Sequence, residues 1–308
     1  MSQTAFLFPG QGSQAVGMLA DLADEAAVRQ TFREAADALG YDLWGLIQNG
    51  PDEELNRTDC TQPALLAFSV ALWRLWTERG GARPDWLAGH SLGEYSALVC
   101  ADALSLADGV RLVANRGRFM QAAVPAGQGA MAAILGLDDD QVIAVCRDAA
   151  GDEVVEAVNF NAPGQVVIAG NAGAVDRAIA AAKEAGAKRA MGLPVSVPSH
   201  CELMQPAAER LREELENTTL QAPSIPVVNN VDVAVEEDPA AIRDALVRQL
   251  YSPVRWSETV RWLLDQGVEQ SYECGPGKVL AGLVKRVERR AKVQPLGDRE
   301  ALDAAQAS

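Results

Sequence analysis

Gly89-His90-Ser91-Leu92-Gly93 fits the pattern Gly-x-Ser-x-Gly and joins two segments of different character. Trp86-Leu87-Ala88 before it reads as a short strand. Glu94 to Cys100 after it is Ala-rich and apolar, and reads as a helix. A serine between two glycines at a strand-to-helix junction is a nucleophile elbow, a strained turn that lifts the hydroxyl to the top of an α/β sheet. The bland alternative is a glycine-rich turn with a solvated serine. The strand-turn-helix context favours the elbow, and an elbow requires a sheet with helices packed on it.

The rest of the chain supplies one. Thr4 to Phe8 is a buried strand ended by Pro9-Gly10, Pro63 to Glu78 a helix apolar nearly all round, and Asp108 to Gln121 a helix N-capped by Asp108. From Ala130 the pattern becomes strand (MAAILGL), helix (138–150), strands 154–160 and 165–169, helix 171–185 stopped by Gly186, and strand 188–195. The order β-α-β-β-α-β is ferredoxin-like. It occupies 127–196 as an insert, which leaves 1–126 and 197–308 as a discontinuous α/β core. The core resumes with helix 201–216, strand 225–229, helices 239–251 and 256–266, strand 268–274 and a last helix. The tail after Pro295 is expected to be poorly ordered.

The net charge of −15 argues against nucleic acid or an anionic membrane as partner, since both select basic surfaces. Five scattered cysteines without a Cys-x-x-Cys pair suit a reducing compartment. The N-terminus does not read as a signal peptide, and the most apolar run, 64–73, is too short to span a bilayer. A cytoplasmic protein is expected.

A serine nucleophile needs a base, and the chain holds only two histidines. His90 adjoins the serine on the turn, where its side chain points elsewhere. That leaves His200, just after the insert. A lone histidine is often structural, but here scarcity nearly forces the assignment. No acidic third member stands out; a backbone carbonyl is an alternative orienter of the imidazole. The Leu92 N–H at the helix start is a natural oxyanion donor, and Gln11, in the loop after the first strand, is the candidate for the second. That loop also fits Gly-x-Gly-x-x-Ala at 10–15, but no strand and acidic residue follow at the spacing dinucleotide binding needs.

Two residues break the pattern of their helices. Arg116 shares a face with Leu112, Val113 and Met120. It is either snorkelling at the edge of the stripe or meeting an anion, and its fork suits a carboxylate. Gln249 lines up with Ile242, Ala245 and Leu246 near a helix end, where a carbonyl is free to accept a hydrogen bond.

Taken together, FPGQGSQ, GHSLGEYSALVCA, VNFNAPGQVVIAG, VSVPSH, IPVVNNVD, ALVRQLYSPVRW and GPGKVL resemble, in order and over nearly the whole chain, the malonyl-CoA:acyl carrier protein transacylases of bacterial fatty-acid synthesis. The resemblance implies a hydrolase-like core with a mostly parallel sheet flanked by helices, and an inserted ferredoxin-like subdomain. It implies Ser91 as the acylated nucleophile, His200 as its base, and Gln11 and Leu92 as the oxyanion hole. Arg116 would clamp the malonyl carboxylate, and Gln249 would orient His200 through its main-chain carbonyl. Asn159, Asn161, Met120 and His90 are candidates to line the cleft.

The activity implied is transfer of malonyl from malonyl-CoA to the phosphopantetheine thiol of acyl carrier protein, by a monomer with no metal and no permanently bound cofactor. The competing readings are a serine thioesterase or hydrolase, and a non-catalytic module that docks the carrier. Candidate docking charges are Lys183, Lys188 and Arg189 on the insert and Lys285, Arg286, Arg289 and Arg290 near the C-terminus, each of which is as readily an ordinary solvated residue.

Overall fold

The computed structural model describes residues 3–195 and 197–307. Ser196, the last residue of the expected insert, lies outside the described residues.

Five parallel strands form the main sheet in the order β7-β2-β1-β8-β9. They are β1 (Gln3–Phe8), β2 (Trp86–Gly89), β7 (Val227–Val228), β8 (Val268–Glu273) and β9 (Lys292–Pro295). The apolar run in β1 places it at the centre, because a parallel strand needs both faces covered. Phe6 and Phe8 join the core on one face, and Ala5 and Leu7 join the core on the other. The strand expected at 225–229 is only Val227–Val228.

Helices α1 (Ala26–Leu39), α2 (Leu43–Asn49), α3 (Asp52–Leu55), α4 (Thr58–Glu78), α5 (Leu92–Cys100) and α6 (Leu106–Ala123) fill the first half of the chain. α4 begins one turn before Pro63, so the proline lies inside the helix and withholds one backbone hydrogen bond. α6 is capped by Ser105, not Asp108: the Ser105 hydroxyl accepts from the Asp108 N–H at 3.0 Å. α4 and α6 approach closely at Gly117, where a Cβ would stand 2.7 Å from the Asp59 Cα.

A second, antiparallel sheet has the order β4-β5-β3-β6. Its strands are β3 (Gly129–Leu135), β4 (Val155–Ala162), β5 (Gln165–Asn171) and β6 (Arg189–Gly192). α7 (Asp139–Ala150) and α8 (Ala172–Glu184) pack on it around Ile134, Val142, Ile168 and Val175. The element order is β-α-β-β-α-β. β6 stops short of the expected residue 195, since Pro194 has no N–H to give a ladder.

α9 (Gln205–Glu216), α10 (Pro239–Gln249), α11 (Trp256–Asp265), α12 (Val279–Val287) and α13 (Arg299–Gln306) complete the chain. The helix expected from Cys201 starts at Gln205, with Pro206 in its first turn, where a missing N–H is harmless. The tail is ordered, against expectation. α13 buries Leu302 and Ala305, is capped by Asp298, and Arg299 bonds the Asp21 carbonyl and the Glu25 carboxylate. Among the described residues no helix is long and apolar enough to cross a membrane.

Candidate active site

β2 ends at Gly89 and α5 begins at Leu92, which leaves Ser91 at the turn with φ 52° and ψ −109°. That left-handed φ is strained for a serine. Contacts all round hold it. A Cβ on Gly89 would lie 1.9 Å from the Gly93 carbonyl carbon, and one on Gly93 would lie 1.9 Å from the Phe8 oxygen. A Cβ on Gly10 would lie 2.6 Å from the His90 oxygen, so the loop carrying Gln11 is pressed against the elbow. Asn230, in the turn after β7, accepts from the Ser91 N–H at 2.7 Å and donates to the Gly89 carbonyl at 2.6 Å. Leu92 is the first residue of α5, so its N–H has no acceptor within the helix.

His200 Nε2 is 2.8 Å from Ser91 Oγ. Nδ1 is 2.7 Å from the main-chain oxygen of Gln249, and the His200 N–H donates to the Leu250 carbonyl at 3.0 Å. A carbonyl only accepts, so the proton belongs on Nδ1 and Nε2 is left as acceptor for the serine hydroxyl. Burial, and then the nearby Arg116 guanidinium, push the imidazole pKa down to about 3. His200 is therefore neutral and ready to take a proton at neutral pH.

Arg116, on α6, is 1% exposed. Its Nη1 donates to Gln62 Oε1 at 2.8 Å; its Nη2 donates to Gln249 Oε1 at 3.0 Å and to Ser91 Oγ at 3.3 Å. The guanidinium carbon lies 5.3 Å from the Tyr95 ring centre, and Nε has no hydrogen-bond partner among the described residues. Besides the Ser91 hydroxyl, the two side-chain oxygens that hold it come from neutral amides. A buried cation normally requires an anion close by, and burial already depresses its pKa.

The remaining candidates sit around this centre. Met120 is buried, its sulfur 3.6 Å from Gln62 Nε2. His90 bonds Asn161 of β4 through Nε2 at 2.8 Å and packs on Trp256, 5.6 Å between ring centres. Asn159 Oδ1 is buried without a partner among the described residues. The Phe160 and Val254 N–H groups tie β4 to the loop before α11, donating to the Val254 and Val158 carbonyls.

Sequence reading missed Gln62, Glu94 and Asn230. Glu94 is the one carboxylate of α5, breaks its apolar pattern in the same way as Arg116, and was visible by that signal. Gln62 is fully buried but follows Thr58, Asp59 and Thr61 and precedes the helix expected from Pro63, so its pattern did not single it out. Asn230 carries no such mark. Among the described residues no cluster of three or more His, Cys, Asp or Glu side chains is arranged to hold a metal ion.

The family model described as "Acyl transferase domain" matches residues 5–297. The malonyl CoA-acyl carrier protein transacylase of Escherichia coli (strain K12) is 61% identical over 306 residues, 99% of each chain. This chain belongs to that transacylase family. It is an acyltransferase with the fold of its relatives. A crystal structure of an acyl carrier protein S-malonyltransferase from Vibrio cholerae is 60% identical, covering 98% of this chain and 99% of its own, with a TM-score of 0.97. A type II polyketide acyl carrier protein in complex with its malonyl-transacylase provides a chain that is 57% identical, covers 99% of each, and has a TM-score of 0.98. In this acyltransferase both basic clusters are exposed: Lys183, Lys188 and Arg189 around α8 and β6, and Lys285, Arg286, Arg289 and Arg290 at the end of α12.

Proposed function

We propose that this acyltransferase moves a malonyl group from malonyl-CoA to the phosphopantetheine thiol of acyl carrier protein, by way of an ester on Ser91. One observation carries the reading. Arg116 is a buried guanidinium held by neutral amides, 3.3 Å from Ser91 Oγ. An acyl group on that oxygen would extend beside a cation with no carboxylate in direct contact, Glu94 being reached only through Gln249, and the free carboxylate of malonyl supplies one.

Ser91 Oγ attacks the thioester carbonyl carbon while its proton passes to His200 Nε2. The N–H groups of Gln11 and Leu92 receive the developing oxyanion, each such donor being worth about 3 kcal/mol. Collapse breaks the carbon–sulfur bond, and the CoA sulfur leaves with the proton from His200. The carrier thiol then gives its proton to His200, attacks the Ser91 ester, and the proton returns to Ser91 Oγ. Every transfer balances without a metal or redox group, and coenzyme A enters as part of the substrate.

The two sheets support a division into a core, 1–126 and 197–308, and an insert, 127–196, with Asn159 and Asn161 contributed from the insert side of the cleft. One chain supplies every group in the scheme, in keeping with a monomer. Five buried free thiols among the described residues suit a reducing, cytoplasmic setting.

The test is intact mass spectrometry after mixing with malonyl-CoA and no thiol acceptor. One malonyl on Ser91, persisting until carrier protein is added, is expected. Continuous release of malonate would make the protein a hydrolase, and an unlabelled Ser91 would leave only carrier docking. Charge reversal within either basic cluster assigns it to docking by a raised KM for the carrier; an unchanged KM excludes that cluster.

A further inference from the structure

We propose that Glu94 is the positioning acid of this site, fixing Gln249 and Asn230 and through them His200, Arg116 and Ser91. The inference rests on the reading of Ser91 and His200 as nucleophile and base.

Glu94 is 3% exposed, in the first turn of α5. Its Oε2 accepts from the Asn230 N–H at 3.0 Å and from Gln249 Nε2 at 2.8 Å. Those two residues touch the reacting groups. Asn230 holds the Ser91 N–H and the Gly89 carbonyl. Gln249 orients His200 through its main-chain oxygen, accepts from Arg116 through Oε1, and donates to the Ser91 carbonyl from Nε2 at 3.1 Å. One carboxylate thus ties together the elbow, the base and the cation, which come from three separate stretches of chain.

The chemistry requires an acid here. A primary amide has a donor end and an acceptor end, and either can face a given neighbour. A carboxylate accepts only. Beside Glu94 and the Ser91 carbonyl, both acceptors, the Gln249 amide presents Nε2, which leaves Oε1 for Arg116. A neutral amide at 94 removes the shorter and charged of those two constraints and leaves only the 3.1 Å bond to the Ser91 carbonyl against a flip that would set the Gln249 NH2 against the guanidinium. The acid of a serine triad touches the histidine directly. Here it lies one residue further out, where the His200 pKa gains little from it. Helix α5 also benefits from an acid in its first turn, but that role affects stability alone.

The test compares wild type with Glu94→Gln, Glu94→Asp and Gln249→Leu, using two readouts. The first is the rate at which phenylmethylsulfonyl fluoride modifies Ser91, which needs no thioester. The second is the ratio of malonyl to acetyl loading. Glu94→Gln should slow sulfonylation about tenfold or more and cut the malonyl preference by a similar factor, and Glu94→Asp should restore part of both. Gln249→Leu keeps the main-chain carbonyl and should show the same two losses, so the idea remains testable if Glu94→Gln does not fold. Wild-type sulfonylation in a folded Glu94→Gln or in Gln249→Leu overturns it. A wild type inert to the sulfonyl fluoride overturns the nucleophile assignment and this inference with it. A wild type that is sulfonylated but takes no malonyl removes only the substrate assignment, and the sulfonylation rates still decide the role of Glu94.

Discussion

The imidazole Nδ1 of His200 lies 2.7 Å from the main-chain oxygen of Gln249. A backbone dipole therefore sets the tautomer and orientation that a carboxylate sets in the serine-protease triad. It does so without adding an anion that would hold the imidazole protonated, and the low His200 pKa of about 3 agrees. His200→Ala removes the proton acceptor and leaves the elbow in place. Malonyl loading of Ser91, followed by rapid quench, should fall by about 10²–10⁴-fold. A loading rate near wild type would exclude His200 as the base.

Arg116→Ala tests the carboxylate clamp. The lost charge-assisted pair is worth about 2–3 kcal/mol, roughly 30- to 150-fold in kcat/KM for malonyl-CoA. Acetyl-CoA has no second carboxylate and should change far less. Equal losses with both donors would show that Arg116 is structural.

Gln62→Glu asks whether the neutrality of the cradle matters. A carboxylate in place of the amide, whose oxygen is 2.8 Å from Arg116 Nη1, would pair with the cation and compete with malonyl. Malonyl kcat/KM should drop about tenfold or more with acetyl little affected, since a charged hydrogen bond is worth about 1.5–3 kcal/mol. An unaltered malonyl-to-acetyl ratio counts against the clamp being held open by neutral amides.

Ser91 was legible because the elbow is a local object, with its residues and the strand and helix flanking it adjacent in sequence. The second sheet was legible for the same reason, each hairpin and helix carrying its own stop signal. His200 followed from scarcity. Arg116 and Gln249 stood out as polar residues on apolar helix faces, but the contacts that Asn230 and Glu94 make were not legible, because tertiary packing creates them: Asn230 meets Ser91 from 139 residues away and Gln249 meets Glu94 from 155. The order of α13 had the same origin. Its own sequence has few apolar positions, and Arg299 finds Glu25 from 274 residues away. Ser105 displaced Asp108 as a cap because either residue can cap, and only the backbone course decides between them.

The pH profile should separate two buried groups. Burial raises the Glu94 carboxyl from 4.5 to about 7, opposed by bonds from Gln249 and Asn230 and by Arg116, with Asp232 adding to the rise. Its contribution to stability is present below pH 4.5 and lost as pH rises through about 7. His200 moves the other way, contributing above pH 6.5 and losing that contribution as pH falls through about 3. His200 is already unprotonated near neutrality, so of these two groups Glu94 is the one that would give an acid limb of kcat/KM near pH 7; burial also raises Glu273 to about 7, and the variant separates them. Glu94→Gln should abolish that limb. If the limb persists unchanged in the variant, another group titrates there.

Gly93→Ala tests whether the elbow depends on the close approach of α5 to β1. The new methyl carbon would stand 1.9 Å from the Phe8 oxygen and 2.7 Å from its carbonyl carbon, both backbone atoms of the central strand. Neither can rotate away, so α5 must move and take Ser91 with it. Overpacking of this kind costs about 1–3 kcal/mol where side chains can adjust, and a backbone clash should exceed that. A fall in the urea midpoint and loss of malonyl loading are expected together. Gly282→Ala is the control: nothing lies within 4 Å of its Cβ, and α12 should gain up to about 1 kcal/mol. A Gly93→Ala protein with a wild-type midpoint and wild-type loading would mean that the turn at Ser91 does not need β1 and α5 in contact.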